Sequence, residues 1–146
     1  MEIINGKKLV KRDGSTLDAE SALSSSSVIG FYFSAHWCPP CRAFTPVLAD
    51  FYDALRDAGE GFEIIFVSSD RSEAEMLNYM KDSHGDWFAV PFNSAEVRAL
   101  KEKFQVSGIP CLVILGKNGQ LITKDGRSAI NSVGPSVMSS WKEMAI

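Results

Sequence analysis

The sequence predicts an α/β protein with a mixed central β-sheet, helices on both faces of that sheet and a β-hairpin at the N-terminus. Two observations carry this prediction. Strand-like and helix-like apolar patterns alternate along most of the chain, and two short apolar segments near the C-terminus flank Asn118-Gly119, a dipeptide typical of hairpin turns. The chain has 146 residues, the size of one ordinary domain, so we expect residues 1–146 to form a single domain.

The first predicted elements are a hairpin and a short helix. Lys8–Val10 and Ser15–Leu17 flank Asp13-Gly14, which tolerates the positive φ of a tight turn. We expect this hairpin to lie at an edge of the sheet. Residues 18–23 can form a short helix that ends at a run of serines.

Two buried strands follow, and each leads into a helix. The largely apolar segments Val28–Ser34 and Phe62–Ser68 predict the strands. After the first strand, apolar side chains recur at intervals of three and four residues, as on one face of a helix, and Pro46 within that pattern predicts a kink. After the second strand, Ser72 and the glutamate three residues later predict a capping box that opens a helix over residues 72–82.

The second half of the chain carries shorter elements. Residues 87–92 are predicted as a short apolar connection, after which Asn93 or Ser94 can cap a third helix. Two antiparallel strands, Cys111–Leu115 and Gln120–Thr123, are predicted on either side of the hairpin-turn dipeptide. Apolar side chains at helical spacing near the end of the chain predict a terminal helix.

Composition and charge exclude several classes of function. Acidic residues outnumber basic residues by 18 to 15, and the basic residues form no stripe, so neither nucleic acid nor a membrane surface is an expected partner. The longest apolar stretches are far shorter than the roughly 20 residues of a membrane-spanning helix. The first residues show no secretory signal pattern, so we expect a reducing, cytoplasmic location.

The motif that carries chemistry is Cys38-Pro39-Pro40-Cys41, at the junction of the first buried strand and its helix. Thiol–disulfide exchange requires an exposed thiolate that attacks and a second thiol close enough to displace the bound partner. Free N–H groups at a helix start stabilise negative charge on Cys38, which predicts it as the nucleophile. Cys41 follows one turn later on the same face, where it should be less exposed and act as the resolving thiol. Trp37 would offer an apolar contact to an incoming protein chain.

Half of a zinc site is the structural alternative for such a cysteine pair. That alternative requires two more ligands at compatible spacing, and His36, His84 and Cys111 are the only other soft ligands in the chain. None of them forms a second closely spaced pair. Redox chemistry is therefore favoured, and we expect neither a metal nor an organic cofactor.

The residues around this motif resemble a known family. The resemblance rests on Tyr32–Arg42 (YFSAHWCPPCR), Phe66–Asp70, Gly108–Pro110, Trp87–Phe92 and Asn118–Thr123. Together these segments resemble the tryparedoxin and nucleoredoxin branch of the thioredoxin superfamily, over nearly the whole chain. The resemblance implies a thioredoxin-like fold and protein-disulfide reductase activity. It implies protein disulfides as substrates and a small dithiol, glutathione or a reductase as electron donor, and we expect a monomer in the cytoplasm with the nucleus as a second compartment.

The same resemblance implies roles for further residues. Ile109-Pro110 would be a cis-proline turn that faces the motif, where the backbone of Ile109 pairs with an extended substrate segment. Ordinary thioredoxins carry a buried acid beneath the resolving cysteine, at the position of Tyr32. Tyr32 or Asp70, with water, is therefore a candidate for deprotonating Cys41, and core packing is the alternative for Tyr32. The predicted substrate-contacting residues are Trp37, Pro39, Pro40, Ile109 and Pro110.

Two interpretations are open for several nearby residues. Cys111 is either a third redox thiol or an inert buried cysteine, and the apolar strand that it opens favours the inert cysteine. Trp87 and Phe92 either extend the apolar platform around Cys38 or pack in the core. His84 is predicted to end a helix. The rival function for the whole chain is a redox-sensitive regulatory binding module, in which catalytic turnover is incidental.

Overall fold

The computed structural model describes residues 3–145, which form seven strands and six α-helices. The strands are β1 (Lys8–Val10), β2 (Thr16–Asp18), β3 (Val28–Ser34), β4 (Phe62–Ser68), β5 (Phe88–Ala89), β6 (Cys111–Gly116) and β7 (Leu121–Thr123). The helices are α1 (Ala19–Ala22), α2 (Pro39–Asp57), α3 (Glu73–Ser83), α4 (Ala95–Lys103), α5 (Gly126–Val133) and α6 (Val137–Met144). All strands join one sheet in the order β2-β1-β5-β4-β3-β6-β7. The predicted class, an α/β fold with a mixed sheet and an N-terminal hairpin at its edge, is confirmed.

Helices cover both faces of this sheet. Side chains that alternate along β3 and β4 point to opposite faces, and each set joins a different apolar core. Tyr32 and Phe66 belong to the core beneath α2, α3, α5 and α6. Phe31 and Ile65 belong to the core beneath α1 and α4. Because both faces are covered, β3 and β4 are buried along their whole length.

Strand pairing brings three chain segments together at one end of the sheet. Strand β3 runs parallel to β4, and Ser34 lies opposite Ser68 at the end of both strands. Strand β6 runs antiparallel to β3, so that Cys111, its first residue, lies opposite Phe33. The segments that follow β3 and β4 therefore meet the segment that precedes β6. The cysteine motif lies in the first of these segments.

Two elements differ from the sequence prediction. Phe88 and Ala89, predicted within a connection, form the short strand β5, which pairs with β4 on one side and β1 on the other. This strand attaches the N-terminal hairpin to the rest of the sheet. Helix α5 was not predicted, and its start is capped by the Asp125 side chain, which accepts a hydrogen bond from Ser128 N at 3.3 Å.

The predicted helix starts and ends are confirmed in part. Ser72 caps α3 and accepts a hydrogen bond from Glu75 N at 3.1 Å, which is one of the two bonds of the predicted capping box. Ser94 occupies the cap position of α4, without a capping bond from its side chain. Helix α2 continues through Pro46 to Asp57. No helix among residues 3–145 combines the length and the apolar character needed to cross a membrane.

Candidate functional site

The cysteine motif lies where β3 ends and α2 begins. Cys38 is the N-cap residue of α2, with extended backbone angles, and Pro39 and Pro40 are its first two helical residues. Neither proline removes a helical hydrogen bond, because the first N–H groups of a helix have no intrahelical partner. The motif therefore fits the helix start, and Cys38 lies at the positive end of the helix dipole, although the two prolines supply no N–H groups of their own.

The two cysteines differ in their surroundings. Both are free thiols, and Cys38 is 5% exposed whereas Cys41 is 0% exposed. Cys38 is thus the more accessible thiol, as predicted, but it is much less exposed than predicted, because it packs with Ala35, Cys41 and Ile109 in a small apolar cluster. Burial raises the pKa of Cys41 to about 11, with a further increase from its hydrogen bond with the Cys38 thiol. Cys41 therefore needs assistance to ionise.

The predicted proline turn faces the motif. The Ile109-Pro110 peptide bond is cis, as predicted. The Cys38 thiol lies 4.0 Å from the carbonyl oxygen of Ile109, at the limit of a weak sulfur hydrogen bond. Both residues of the turn are half-buried, so their outer side remains accessible. An extended chain can approach Cys38 across this turn.

Trp37 forms an exposed wall beside Cys38. Its side chain is 43% exposed, although it is one of the largest apolar groups in the chain. The indole Nε1 donates a hydrogen bond to the carbonyl oxygen of Ser69 at 3.0 Å, and the Arg71 guanidinium lies 5.4 Å from the ring centroid. These contacts fix the ring in place while one face stays open. Pro39 and Pro40, next along the chain, are exposed as well.

Tyr32 and Asp70, the residues predicted to handle protons, have different partners. Tyr32 is fully buried, which raises its pKa well above the ordinary value, and its hydroxyl lies 2.7 Å from Thr45 Oγ1 and 3.4 Å from the Cys41 carbonyl oxygen. Asp70 accepts hydrogen bonds from His36 N and from Ser68 Oγ, each at 2.7 Å. Asp70 thereby holds the loop before Cys38 against the end of β4.

The sequence did not reveal three hydroxyl groups that lie behind Cys41. Ser34 Oγ lies 2.7 Å from Tyr79 Oη, Tyr79 Oη lies 2.5 Å from Thr45 Oγ1, and Thr45 Oγ1 donates to the Cys41 carbonyl oxygen at 2.9 Å. Hydrogen bonding from Ser34 lowers the pKa of Cys41 and so opposes the effect of burial. A partial signal existed: Ser34 shares a strand face with Tyr32, and Thr45 lies one helical turn after Cys41.

The two histidines lie in different places: His36 is in the loop before Cys38, and His84 is in the core. His36 stacks on the Tyr79 ring, with centroids 5.0 Å apart. His84 ends α3, as predicted, and its Nδ1 accepts a hydrogen bond from Trp87 Nε1 at 3.0 Å. Trp87 is 0% exposed, so the core interpretation is correct for it and the platform interpretation is wrong. Phe92 is half-buried and packs against the core beneath α2.

Cys111 is half-buried, and burial raises its pKa above the ordinary value. Its thiol lies 3.9 Å from the Lys124 carbonyl oxygen. These surroundings agree with the inert interpretation. Among residues 3–145, no group of three or more histidine, cysteine or acidic side chains is arranged to hold a metal ion.

With this fold and site, the chain belongs to the thioredoxin-like family, whose sequence model matches residues 26–121. The predicted resemblance to the tryparedoxin and nucleoredoxin branch is confirmed by individual relatives. Mouse nucleoredoxin is 42% identical over 127 residues, which are 86% of this chain but 28% of that protein. The chain thus spans less than a third of the nucleoredoxin length.

Two solved structures match nearly the whole chain. The thioredoxin related protein 16 of Carcinoscorpius rotundicauda is 52% identical, covers 97% of this chain and 99% of its own, and has a TM-score of 0.85. Tryparedoxin I from Leishmania major is 38% identical, with coverage of 90% and 88% and a TM-score of 0.79. The chain is therefore a thioredoxin-like protein with a closely spaced dithiol, in a family of oxidoreductases.

Proposed function

We propose that this protein is a protein-disulfide reductase in which Cys38 attacks and Cys41 resolves. The difference between the two thiols is the observation that carries this proposal. Cys38 lies at a helix start, where the helix dipole favours negative charge, and beside the accessible proline turn. Cys41 lies one turn behind it, fully buried and with a raised pKa, where no large substrate can reach it.

The proposed reaction transfers two electrons to the substrate. The Cys38 thiolate attacks one sulfur of a substrate disulfide, the substrate S–S bond breaks, and one substrate thiolate leaves. Cys41 then loses its proton and attacks the Cys38 sulfur of the mixed disulfide. The Cys38–Cys41 disulfide forms, and the second substrate thiol is released. A small dithiol, glutathione or a reductase returns two electrons to the protein, and the reaction needs no metal or organic cofactor.

The surface around Cys38 suits an extended protein segment. The backbone of Ile109, whose carbonyl oxygen lies near the Cys38 thiol, is available to pair with such a segment. Trp37, Pro39 and Pro40 offer exposed apolar contact, and Pro110 adds a half-buried one. This arrangement supports a protein disulfide as the substrate. The chain would act as a monomer in the cytoplasm, with the nucleus as a second compartment.

Insulin reduction by dithiothreitol tests the proposal. We expect the unmodified protein to accelerate the reaction, and Cys38→Ser to abolish that acceleration because no attacking thiolate remains. Cys41→Ser should accumulate a mixed disulfide with insulin that a reductant releases. Cys111→Ser is the matched control, since it removes a cysteine outside the motif, and it should keep the parent rate. Acceleration by Cys38→Ser would overturn the assignment of the nucleophile.

A redox-sensitive binding module is the second candidate function. The observation that favours it is the 52% identical relative, which spans the same length and has been described with a role in regulating transcription factor NF-kB activity. In that case, contact through exposed groups such as Trp37 matters more than turnover. A partner identified through the Cys41→Ser mixed disulfide would be tested for noncovalent binding to Cys38→Ser. Equal affinity for Cys38→Ser and the unmodified protein would favour the module, and loss of binding would favour the reductase.

A further inference from the structure

Four buried hydroxyl groups form a continuous chain behind the resolving cysteine. We refer to Ser34, Tyr79, Thr45 and Tyr32 as the hydroxyl chain. Consecutive oxygen atoms are 2.7, 2.5 and 2.7 Å apart along it. All four side chains are 0% exposed, so water does not compete for these hydrogen bonds. Ser34, at one end of it, lowers the pKa of the Cys41 thiol through hydrogen bonding and offsets part of the increase caused by burial.

The hydroxyl chain has two complete hydrogen-bonding arrangements. In the first, the Cys41 thiol donates to Ser34, Ser34 donates to Tyr79, and both Tyr79 and Tyr32 donate to Thr45. Thr45 then donates to the Cys41 carbonyl oxygen, which it meets at 2.9 Å. In the second, Tyr32 donates to Thr45, Thr45 to Tyr79, Tyr79 to Ser34, and Ser34 to the Cys41 sulfur. Each hydroxyl can donate once and accept twice, so both arrangements satisfy every donor.

We propose that the hydroxyl chain positions hydrogen bonds for the resolving step by reversing from the first arrangement to the second when Cys41 ionises. The proposal rests on the proposed function and adds Ser34, Tyr79 and Thr45 to it as positioning residues. The reversal needs only hydroxyl rotations, and no heavy atom moves. The buried thiolate thereby gains a donor at the moment when it must attack.

Other ionisable groups near Cys41 do not supply this donor. The Cys38 sulfur carries the substrate at this stage, and the Asp70 carboxylate is bonded to His36 N and Ser68 Oγ. His36 lies outside the hydroxyl chain, stacked on the Tyr79 ring. His84 stays neutral, because burial lowers its pKa to about 3. Besides the Ala35 backbone N–H, which is fixed, the hydroxyl chain is therefore the donor set that can respond when Cys41 ionises.

The proton and the electrons balance in this step. Cys41 releases its proton, and the substrate thiolate displaced in the first exchange takes up a proton through solvent. The Cys41 thiolate attacks the Cys38 sulfur, the new S–S bond forms, and the bond from Cys38 to the substrate breaks. The second substrate thiolate carries away the electron pair of that bond. The hydroxyl chain returns to its first arrangement when the protein is reduced again.

Single-turnover reaction with 5,5′-dithiobis(2-nitrobenzoate) separates the two exchange steps. The reduced Cys111→Ser protein is mixed with a small excess of this reagent in a stopped-flow instrument. Attack by Cys38 releases a first thionitrobenzoate, and attack by Cys41 releases a second. The rate constant of the second release follows the fraction of Cys41 that is ionised. Both phases are recorded from about pH 6 to about pH 9, where that fraction is small.

Tyr79→Phe in this background is the decisive variant, because it deletes one hydroxyl and keeps the ring that stacks on His36. We expect the second release to slow about 10-fold, which corresponds to a shift of about one pKa unit, and the first release to stay unchanged. Tyr52→Phe is the matched control, because Tyr52 is also a buried tyrosine and its hydroxyl bonds to Glu63, away from Cys41. It should change neither phase.

The outcomes separate this proposal from the proposed function. A second release in Tyr79→Phe within about twofold of the parent would overturn the role of the hydroxyl chain. Absence of the first release in the unmodified protein would instead overturn Cys38 as the nucleophile. If Tyr79→Phe does not fold, Ser34→Ala tests the same step, since Ser34 is the direct donor to Cys41. Equal slowing by Tyr52→Phe would show a general loss of packing and would also overturn the proposal.

Discussion

Two clusters of buried polar side chains, at opposite ends of the sheet, differ in charge. Where β3 ends, the hydroxyl chain behind Cys41 is uncharged, and burial keeps the neighbouring His84 neutral by lowering its pKa to about 3. Where β4 begins, Glu63 is 2% exposed, accepts a hydrogen bond from Tyr52 at 2.9 Å and pairs with Arg56 at 3.3 Å. Hydroxyl groups can exchange donor and acceptor roles, whereas a carboxylate can only accept. The first end is suited to proton handling, and the second fixes α2 against β4.

The largest expected effect on stability comes from protonation of His84, which lies beside the uncharged hydroxyl chain. His84 binds its proton more weakly in the folded than in the unfolded protein, so the free energy of unfolding should fall as pH decreases from about 6.5 to about 3. His84→Asn keeps an acceptor for Trp87 and removes the titration, so we expect the variant to lose this acid dependence, which amounts to a few kcal/mol. Urea unfolding at a series of pH values measures it. His36→Asn, the control, should keep most of the dependence of the parent, because burial is the main cause of the low His84 pKa and His36 a smaller one. An unchanged slope in His84→Asn would contradict the prediction.

A smaller loss of stability is expected when Glu63 loses its ion-pair partner Arg56. Arg56→Gln removes the ion-pair partner of the buried Glu63 carboxylate and leaves only the weaker influence of Lys11. We expect a loss of about 1–2 kcal/mol in the free energy of unfolding at neutral pH. The figure is modest because the Arg56 side chain is 46% exposed. Lys142→Gln removes an exposed ion pair with Glu60 and should cost less than about 0.5 kcal/mol. Equal losses in the two variants would show that burial of Glu63 does not matter.

Glu63 should also make stability depend on pH, with a sign opposite to that of His84. Burial raises the pKa of Glu63 above its ordinary value of 4.5, so the folded protein holds this proton more tightly than the unfolded chain does. The contribution of Glu63 to stability is therefore greatest at acid pH and is lost as pH rises above 4.5. Glu63→Gln should remove this loss. Urea unfolding of Glu63→Gln and the parent across this range provides the check, and an identical pH dependence in both would contradict it.

The smallest expected effect lies at the far end of the hydroxyl chain. Tyr32→Phe removes the last donor, and we expect the second thionitrobenzoate release to slow about threefold, less than in Tyr79→Phe. Asp70→Asn keeps an acceptor for His36 N and tests whether the carboxylate charge assists Cys41. If neither variant alters that release or insulin turnover, neither residue handles protons.

The sequence predicted the elements whose signals are local and missed those that depend on distant partners. Strand β5 has only two residues and exists because β1 and β4 pair with it. Helix α5 begins at Gly126, where a side chain would approach Leu112 and Ile114 to 2.9 Å. A glycine at that position weakens the helical signal, although packing on β6 requires it. Neither requirement can be seen without the fold.

In the candidate site, too, the local features were predicted and the features that depend on distant residues were missed. The Cys38–Cys41 motif and its place at a helix start follow from neighbouring residues, and the structure places them as predicted. In the hydroxyl chain, Ser34 and Tyr79 are separated by 45 positions in the sequence, and Thr45 and Tyr79 by 34 positions. No short sequence pattern can therefore reveal it. The burial of Cys38 also depends on the distant Ile109.

The attachment of the N-terminal hairpin has a consequence for how the protein opens. Main-chain pairing joins β1 to the rest of the sheet at one residue pair, Val10 with Ala89, whereas β3 and β4 pair along seven. Amide hydrogens of the hairpin should therefore exchange with solvent through brief local detachment, long before those of the central strands. Each detachment exposes the unpaired edge of β5, which a strand of another chain can then pair with. The boundary between β1 and β5 is therefore where association between chains would begin.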